Sequence, residues 1–284
     1  MIIDGRKLVH EKLLDTAAKC AQAALKAPQT TGRLKLQVVV LTQEQEMLPI
    51  VEMFEVLGEI QPHAIQLANG YRKLFEAGEP PVIILFGADL TVSEMGWDCG
   101  ACGFKTCAEF NKYARQNRNF GVLGQGPSCN WKVLDFGTAC SWACAAASQY
   151  NVENRIAIFE GAFANMLGYV DGVSYILALP LVSCRELWFY SRPAIDEGNF
   201  SYEWWQDYIR NFFPATFMPF ATPSSIPRLK TRQDWEQDMG SPRWVIPKED
   251  PEITRKRDEV LGRLMELAGR KAAEVAEMRK KLKK

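Results

Sequence analysis

Eight cysteines against only two histidines, His10 and His63, narrow the chemistry open to this 284-residue chain. Four of the cysteines form a pattern. The run Trp97-Asp98-Cys99-Gly100-Ala101-Cys102-Gly103-Phe104-Lys105-Thr106-Cys107 supplies three thiols at spacing C-x2-C-x4-C, and Gly126-Pro127-Ser128-Cys129 supplies a fourth. A 4Fe–4S cube needs four thiolates at tetrahedrally disposed corners. One tight loop reaches three corners, and the fourth ligand must come from chain that has travelled around the cube. A helix predicted over 108–117 provides the detour. Gly100 and Gly103 take positive φ at little cost, so the loop can curl with amides pointing inward, toward a group carrying negative charge. Trp97, Phe104 and Trp131 flank the thiols and are placed to keep water away. Cys99, Cys102, Cys107 and Cys129 are the expected metal ligands.

Two other readings of the same cysteines stay open. A four-cysteine zinc site commonly uses two C-x2-C knuckles, whereas here Cys129 stands alone; unmetallated core thiols are the second. Cys20 falls on the apolar face of a helix, Cys140 and Cys144 share the face of another, and Cys184 follows a strand. Buried free cysteine is ordinary, so these four are expected in the core, with a second cluster from Cys140, Cys144, Cys184 and one further ligand as the alternative. Gly121-Val122-Leu123-Gly124-Gln125-Gly126 lacks the glycine order of a dinucleotide fingerprint and follows a helix rather than a strand. Asp135, Glu153 and Glu160 are assigned no acid–base role.

The elements that must position the thiols follow from periodicity. Helices are predicted over 5–26, 44–58, 63–77, 135–150, 152–167 and 253–284. Continuous apolar runs at 34–42, 82–86 and 173–181 read as buried strands, with a short fourth at 186–190. Buried strands mixed with long helices define an α+β sandwich, with the cysteine loop inserted between the second strand and the alanine-rich helix. Residues 1–192 are expected to form this domain, with 97–131 as its insert. Prolines and aromatics crowd 193–251, an irregular arm draped over its own core or a partner subunit, and 252–284 is a charged amphipathic helix. In that helix Leu261, Leu264, Ala268, Lys271, Val275, Met278 and Leu282 fall on a heptad seam, which either packs on its own protein or pairs with another helix.

Thirty-four basic residues balance thirty-four acidic ones, which gives no support for a nucleic-acid partner. No signal-like segment opens the chain and no apolar run reaches the roughly 18 residues that cross a bilayer. A cytoplasmic protein with no membrane span is expected, in a compartment where clustered cysteines hold metal more often than disulfides.

Cys99-Gly100-Ala101-Cys102-Gly103-Phe104 with Cys107 resembles the small iron–sulfur module of corrinoid iron–sulfur proteins and of the cluster-bearing subunit of Rnf-type complexes. In those, all four cysteines ligate a 4Fe–4S cluster. There the last cysteine is usually followed by proline, whereas here Pro127 precedes Cys129 and Asn130 follows. A wider resemblance, over 8–192, is to an uncharacterised ferredoxin-domain family found largely in anaerobic prokaryotes. It is carried by Ala27-Pro28, Cys102 to Cys107, Gly126-Pro127-Ser128-Cys129, Leu134-Asp135-Phe136-Gly137-Thr138-Ala139, Val152-Glu153-Asn154-Arg155-Ile156 and Leu179-Pro180-Leu181. Where members tend to end in aromatic–acid–arginine, this chain has Phe189-Tyr190-Ser191-Arg192.

That layout is similar to the nitroreductase fold, a dimeric α+β fold that often binds FMN between subunits; the basic pair that grips the flavin phosphate has no match here. The resemblance implies an electron-transfer protein with a redox partner, working as a homodimer or as a subunit of a larger complex. A reductase in which the cluster feeds FMN, and a structural metal site in an interaction module, are the competing expectations.

Overall fold

The computed structural model describes residues 2–121, 123–184 and 251–282. The chain divides into two compact units, 1–196 with 263–284, and 197–262. Of the second unit only 251–262 lie among the described residues, so the proline-rich arm and the strand expected at 186–190 fall outside them.

The first unit is mixed α+β. Its sheet has four antiparallel strands in the order β1 (Gln37–Leu41), β2 (Val82–Ala88), β6 (Tyr175–Val182) and β5 (Glu153–Asn154). Every residue of β2 is buried, because helices cover both faces of the sheet. On one face Val82, Ile84 and Phe86 of β2 and Leu179 and Leu181 of β6 meet α2 (Leu13–Lys26) and α6 (Asn130–Gln149) through Ala17, Cys20, Phe136, Ala139 and Ala143. Alternation sends Ile83 and Leu85 to the other face. That layer holds α3 (Glu44–Leu57), α4 (Pro62–Glu76) and α7 (Ile158–Met166), knit by Phe54, Tyr71 and Phe163. Gly161 is what lets α7 lie on β6, since a Cβ there would sit 2.2 Å from the Ile176 carbonyl oxygen.

The sequence-predicted strands at 34–42, 82–86 and 173–181 correspond to β1, β2 and β6. The helix expected over 152–167 is corrected: β5 comes first, Ala157 bridges to Ala178, and only then does α7 begin. Asn154 and Ala157 take backbone partners from β6, which outweigh helix propensity. The helix expected over 5–26 is two, α1 (Gly5–Glu11) and α2, meeting at Lys12. The long C-terminal helix, α8, runs Pro251–Leu282. From Arg263 onward its seam faces its own unit. Leu264, Ala268 and Val275 are buried, Lys271 bonds Glu52 at 3.0 Å, and Arg279 reaches Asp171 and, at 2.8 Å, the Gly168 carbonyl. Lys271, the misfit of the heptad, is thereby matched by a carboxylate on α3. No helix among the described residues is long and apolar enough to cross a membrane.

Candidate functional site

The segment that leaves β2 at Ala88 reaches Cys107 without entering a helix or strand, and neighbouring elements stitch it down on both sides. Ser174 Oγ accepts from the Leu90 amide at 2.8 Å, and the Leu90 carbonyl accepts from the Cys129 amide at 2.8 Å. The Ser93 backbone exchanges two bonds with the Asn111 side chain, at 2.7 and 2.8 Å. Arg118 donates to Thr91 Oγ1 at 2.8 Å. Lys132 is buried, and its ammonium donates to the Val92 carbonyl at 3.1 Å and approaches Glu94 at 3.5 Å. Lys35 flanks Glu94 on its other side at 3.3 Å. Burial alone would raise the Glu94 carboxyl; the two lysines more than offset this and hold it below its usual range.

Beyond Met95 the chain curls. Gly96, Asp98, Gly100 and Gly103 all have positive φ, and the Gly103 amide closes a turn on the Gly100 carbonyl at 2.9 Å. Asp98 Oδ1 accepts from the Cys107 amide at 2.8 Å, folding the loop back to the start of α5 (Cys107–Gln116). Thr106 caps that helix in a box with Glu109. After α5 the chain returns through a two-stranded hairpin, β3 (Asn119–Phe120) with β4 (Gln125–Gly126), and Cys129 is the N-cap of α6. The glycines set aside as a dinucleotide motif are parts of this hairpin. Gly124 lies so close to Tyr175 that a Cβ would meet its ring at 2.2 Å.

The structure gives the four thiols different surroundings. Cys102 packs with Cys129 in a small apolar cluster around Phe110 and Ala114, flanked by Met95, Phe104 and Trp131. Cys99 is exposed, and the Trp131 indole N–H donates to its Sγ at 3.3 Å. Cys107 opens α5. The Ser93 hydroxyl beside it favours its thiolate and outweighs the opposing effect of burial, so this thiol lies below its ordinary value. The Ser93 Oγ itself is buried and has no hydrogen-bond partner of normal geometry. Two of the four sulfurs therefore start helices, where the macrodipole favours negative charge. Among the described residues, no three His, Cys, Asp or Glu side chains stand in a group that could hold a metal ion as they are.

Trp131 is shared between the apolar cluster and Trp97, whose ring centroid lies 6.4 Å away edge to face. Phe104 packs on Phe110 at 5.8 Å. Trp97 stays half exposed, so the screen over Cys99 is incomplete.

Cys20, Cys140 and Cys144 line the seam between α2 and α6. Burial pushes their thiols up, to about 11, about 12 and about 11 respectively, so they are neutral and unreactive near pH 7. Asp135 is a structural anchor. It accepts from the Thr30 amide at 2.7 Å, the Thr31 amide at 2.9 Å and the Thr31 hydroxyl at 2.5 Å, fixing the loop after α2. Glu160 is buried and accepts from the Tyr71 hydroxyl at 3.1 Å.

Sequence reasoning missed Ser93, Asn111 and Lys132. Two of them carried a readable signal. Asn111 stands one turn after Cys107, and Lys132, one turn after Cys129, is one of just two charged residues in the twenty of α6.

Residues 125–192 match a family model described as an uncharacterized protein containing a ferredoxin domain (DUF2148). The match includes Cys129, α6 and β6, while Cys99, Cys102 and Cys107 precede it. An uncharacterized protein of Archaeoglobus fulgidus is 27% identical over 194 residues, which cover 68% of this chain and 98% of the relative. No solved structure matches.

Proposed function

We propose that this chain is an iron–sulfur protein of electron transfer, with one 4Fe–4S cluster held by Cys99, Cys102, Cys107 and Cys129. The observation that carries the reading is that segments separated in sequence bring Cys102 and Cys129 together with Phe110 and Trp131, while Trp131 also bonds Cys99 and Cys107 opens the helix that carries Phe110. The surroundings fit an anionic, thiolate-bound group. Gly100 and Gly103 at positive φ let the loop curl tightly between its cysteines. Cys107 and Cys129 stand at helix N-termini, and an indole N–H already points at the Cys99 sulfur. A match to a ferredoxin-domain family supports the same reading.

When bound, the cluster would accept and release single electrons. The protein's own residues hold, shield and tune it. Lys132 and Asn111 fasten the incoming segment to the two helices that bear Cys129 and Cys107. Phe104 and Phe110 keep the Cys102 side dry, while the exposed edge at Cys99 and Trp97 is where an electron enters or leaves. A redox partner protein would dock there, in the cytoplasm. An antiparallel sheet between helical layers is consistent with the nitroreductase-like layout that this reading adopts.

Cysteine replacement tests the reading. Cys102→Ser should abolish the broad visible absorbance of anaerobically purified protein, whereas Cys20→Ser should leave it intact. Full colour in both variants would refute the ligand assignment. Stoichiometric FMN in the purified protein would favour a cluster-fed reductase instead.

A further inference from the structure

Among the described residues around the cysteine loop, Ser93 stands out for a buried side-chain oxygen that makes no hydrogen bond of normal geometry. It is 6% exposed, its backbone N–H and C=O are both taken by Asn111, and its Oγ has no hydrogen-bond partner among the described residues. A buried hydroxyl without a partner of normal geometry is costly, so its retention calls for an acceptor close by. The position identifies that acceptor. Asn111 lies four residues after Cys107 on α5, hence on the same face one turn along, and it clamps Ser93 against the first turn, where Cys107 sits. Lys132 pins the neighbouring Val92 from the α6 side, so Ser93 is fixed from two directions.

We propose that Ser93 donates its hydroxyl proton in a hydrogen bond to the Cys107 sulfur of the loaded site and thereby raises the reduction potential of the cluster. The inference rests on the ligand assignment above and goes beyond it by naming a tuning residue that ligates nothing. A sulfur ligand of a cluster gains negative charge when the cluster is reduced, and a donor stabilises the more charged state more strongly. A net hydrogen-bond contribution of ordinary size changes the ratio of reduced to oxidised cluster by about two- to tenfold at fixed potential. For a one-electron couple, tenfold corresponds to about 59 mV.

The test is an anaerobic redox titration, followed by visible absorbance, of wild type, Ser93→Ala and Ser93→Thr, each first assayed for iron and sulfide. Wild-type iron content with a lowered midpoint in Ser93→Ala, restored in Ser93→Thr, is the expected result. An unchanged midpoint in a fully loaded Ser93→Ala overturns the inference while leaving the cluster intact. Should Ser93→Ala lose iron, Ser93→Gly takes its place. Loss of iron in both means that the hydroxyl is needed to fold the loop rather than to set the potential, which also overturns the inference. Absence of iron from the wild type would overturn the proposed function, and this inference with it.

Discussion

Asp135→Asn is the substitution whose cost the structure specifies best. The carboxylate is 1% exposed and accepts three hydrogen bonds, from the Thr30 amide on Oδ1 and from the Thr31 amide and hydroxyl on Oδ2. The Thr31 Oγ1 accepts in turn from the Arg33 amide at 3.0 Å, so the whole turn after α2 hangs on one side chain. Asparagine keeps the volume but replaces one acceptor oxygen with an NH2 group that faces N–H and O–H donors. At least one buried donor then loses its acceptor, and the remaining bonds lose charge assistance. Charge-assisted bonds contribute about 1.5–3 kcal/mol each, and an orphaned buried donor costs about 1–3 kcal/mol. The expected destabilisation is about 2–4 kcal/mol for Asp135→Asn, and about 3–5 kcal/mol for Asp135→Ala, which abandons all three donors. At about 2–4 °C per kcal/mol this lowers Tm by roughly 5–15 °C for the asparagine variant. Urea unfolding followed by circular dichroism reads the loss directly, and Thr31→Val, which removes one bond of the three, should cost less and combine non-additively with Asp135→Asn. Iron content at low temperature should not change, because none of the three donors lies in the cysteine loop. A change in unfolding free energy below about 0.5 kcal/mol for Asp135→Asn would refute the reasoning.

Gly161→Ala should destabilise by about 1–3 kcal/mol or more, measured as a lower urea midpoint, because its Cβ would lie 2.2 Å from the Ile176 oxygen and α7 would have to lift from β6. Alkaline stability should respond to Cys140. Its folded thiol is pushed up to about 12 from an ordinary 9.0, so the unfolded chain releases its proton first. Stability is then complete below pH 9 and falls as pH rises toward 12, with a slope of up to about 1.4 kcal/mol per pH unit. Cys140→Ala should show a flatter decline of urea midpoint from pH 9 to 10.5; parallel declines would count against the assignment. Trp131→Phe keeps the ring against Phe110 and Cys129 but removes the donor at 3.3 Å from Cys99 Sγ, so the loaded protein should keep its iron and titrate at a lower potential.

Much of the scaffold could be read from the chain because its signals are local. Val38-Val39-Val40 and Val82 to Phe86 are apolar runs too short for helices, and both are strands. Gln43 and Glu46 form the capping box that opens α3 where apolar periodicity begins. What escaped was set by tertiary pairing. Glu153-Asn154 carries no strand pattern of its own, and β6 recruits it. The start of α6 at Asn130, ahead of the expected 135, rests on Lys132, a charged residue that is nonetheless buried against a specific partner. The four thiols were visible as a candidate set from spacing and glycine chemistry. Their supports were not, because Ser93 meets α5, and Lys132 meets Val92, across 18 and 40 residues of sequence respectively.

The most direct test of the account is the metal and sulfide content of protein purified without oxygen. About four iron atoms and four acid-labile sulfides per chain are expected, as one cubane requires. Protein prepared in this way that contains neither iron nor sulfide, or zinc alone, would contradict it.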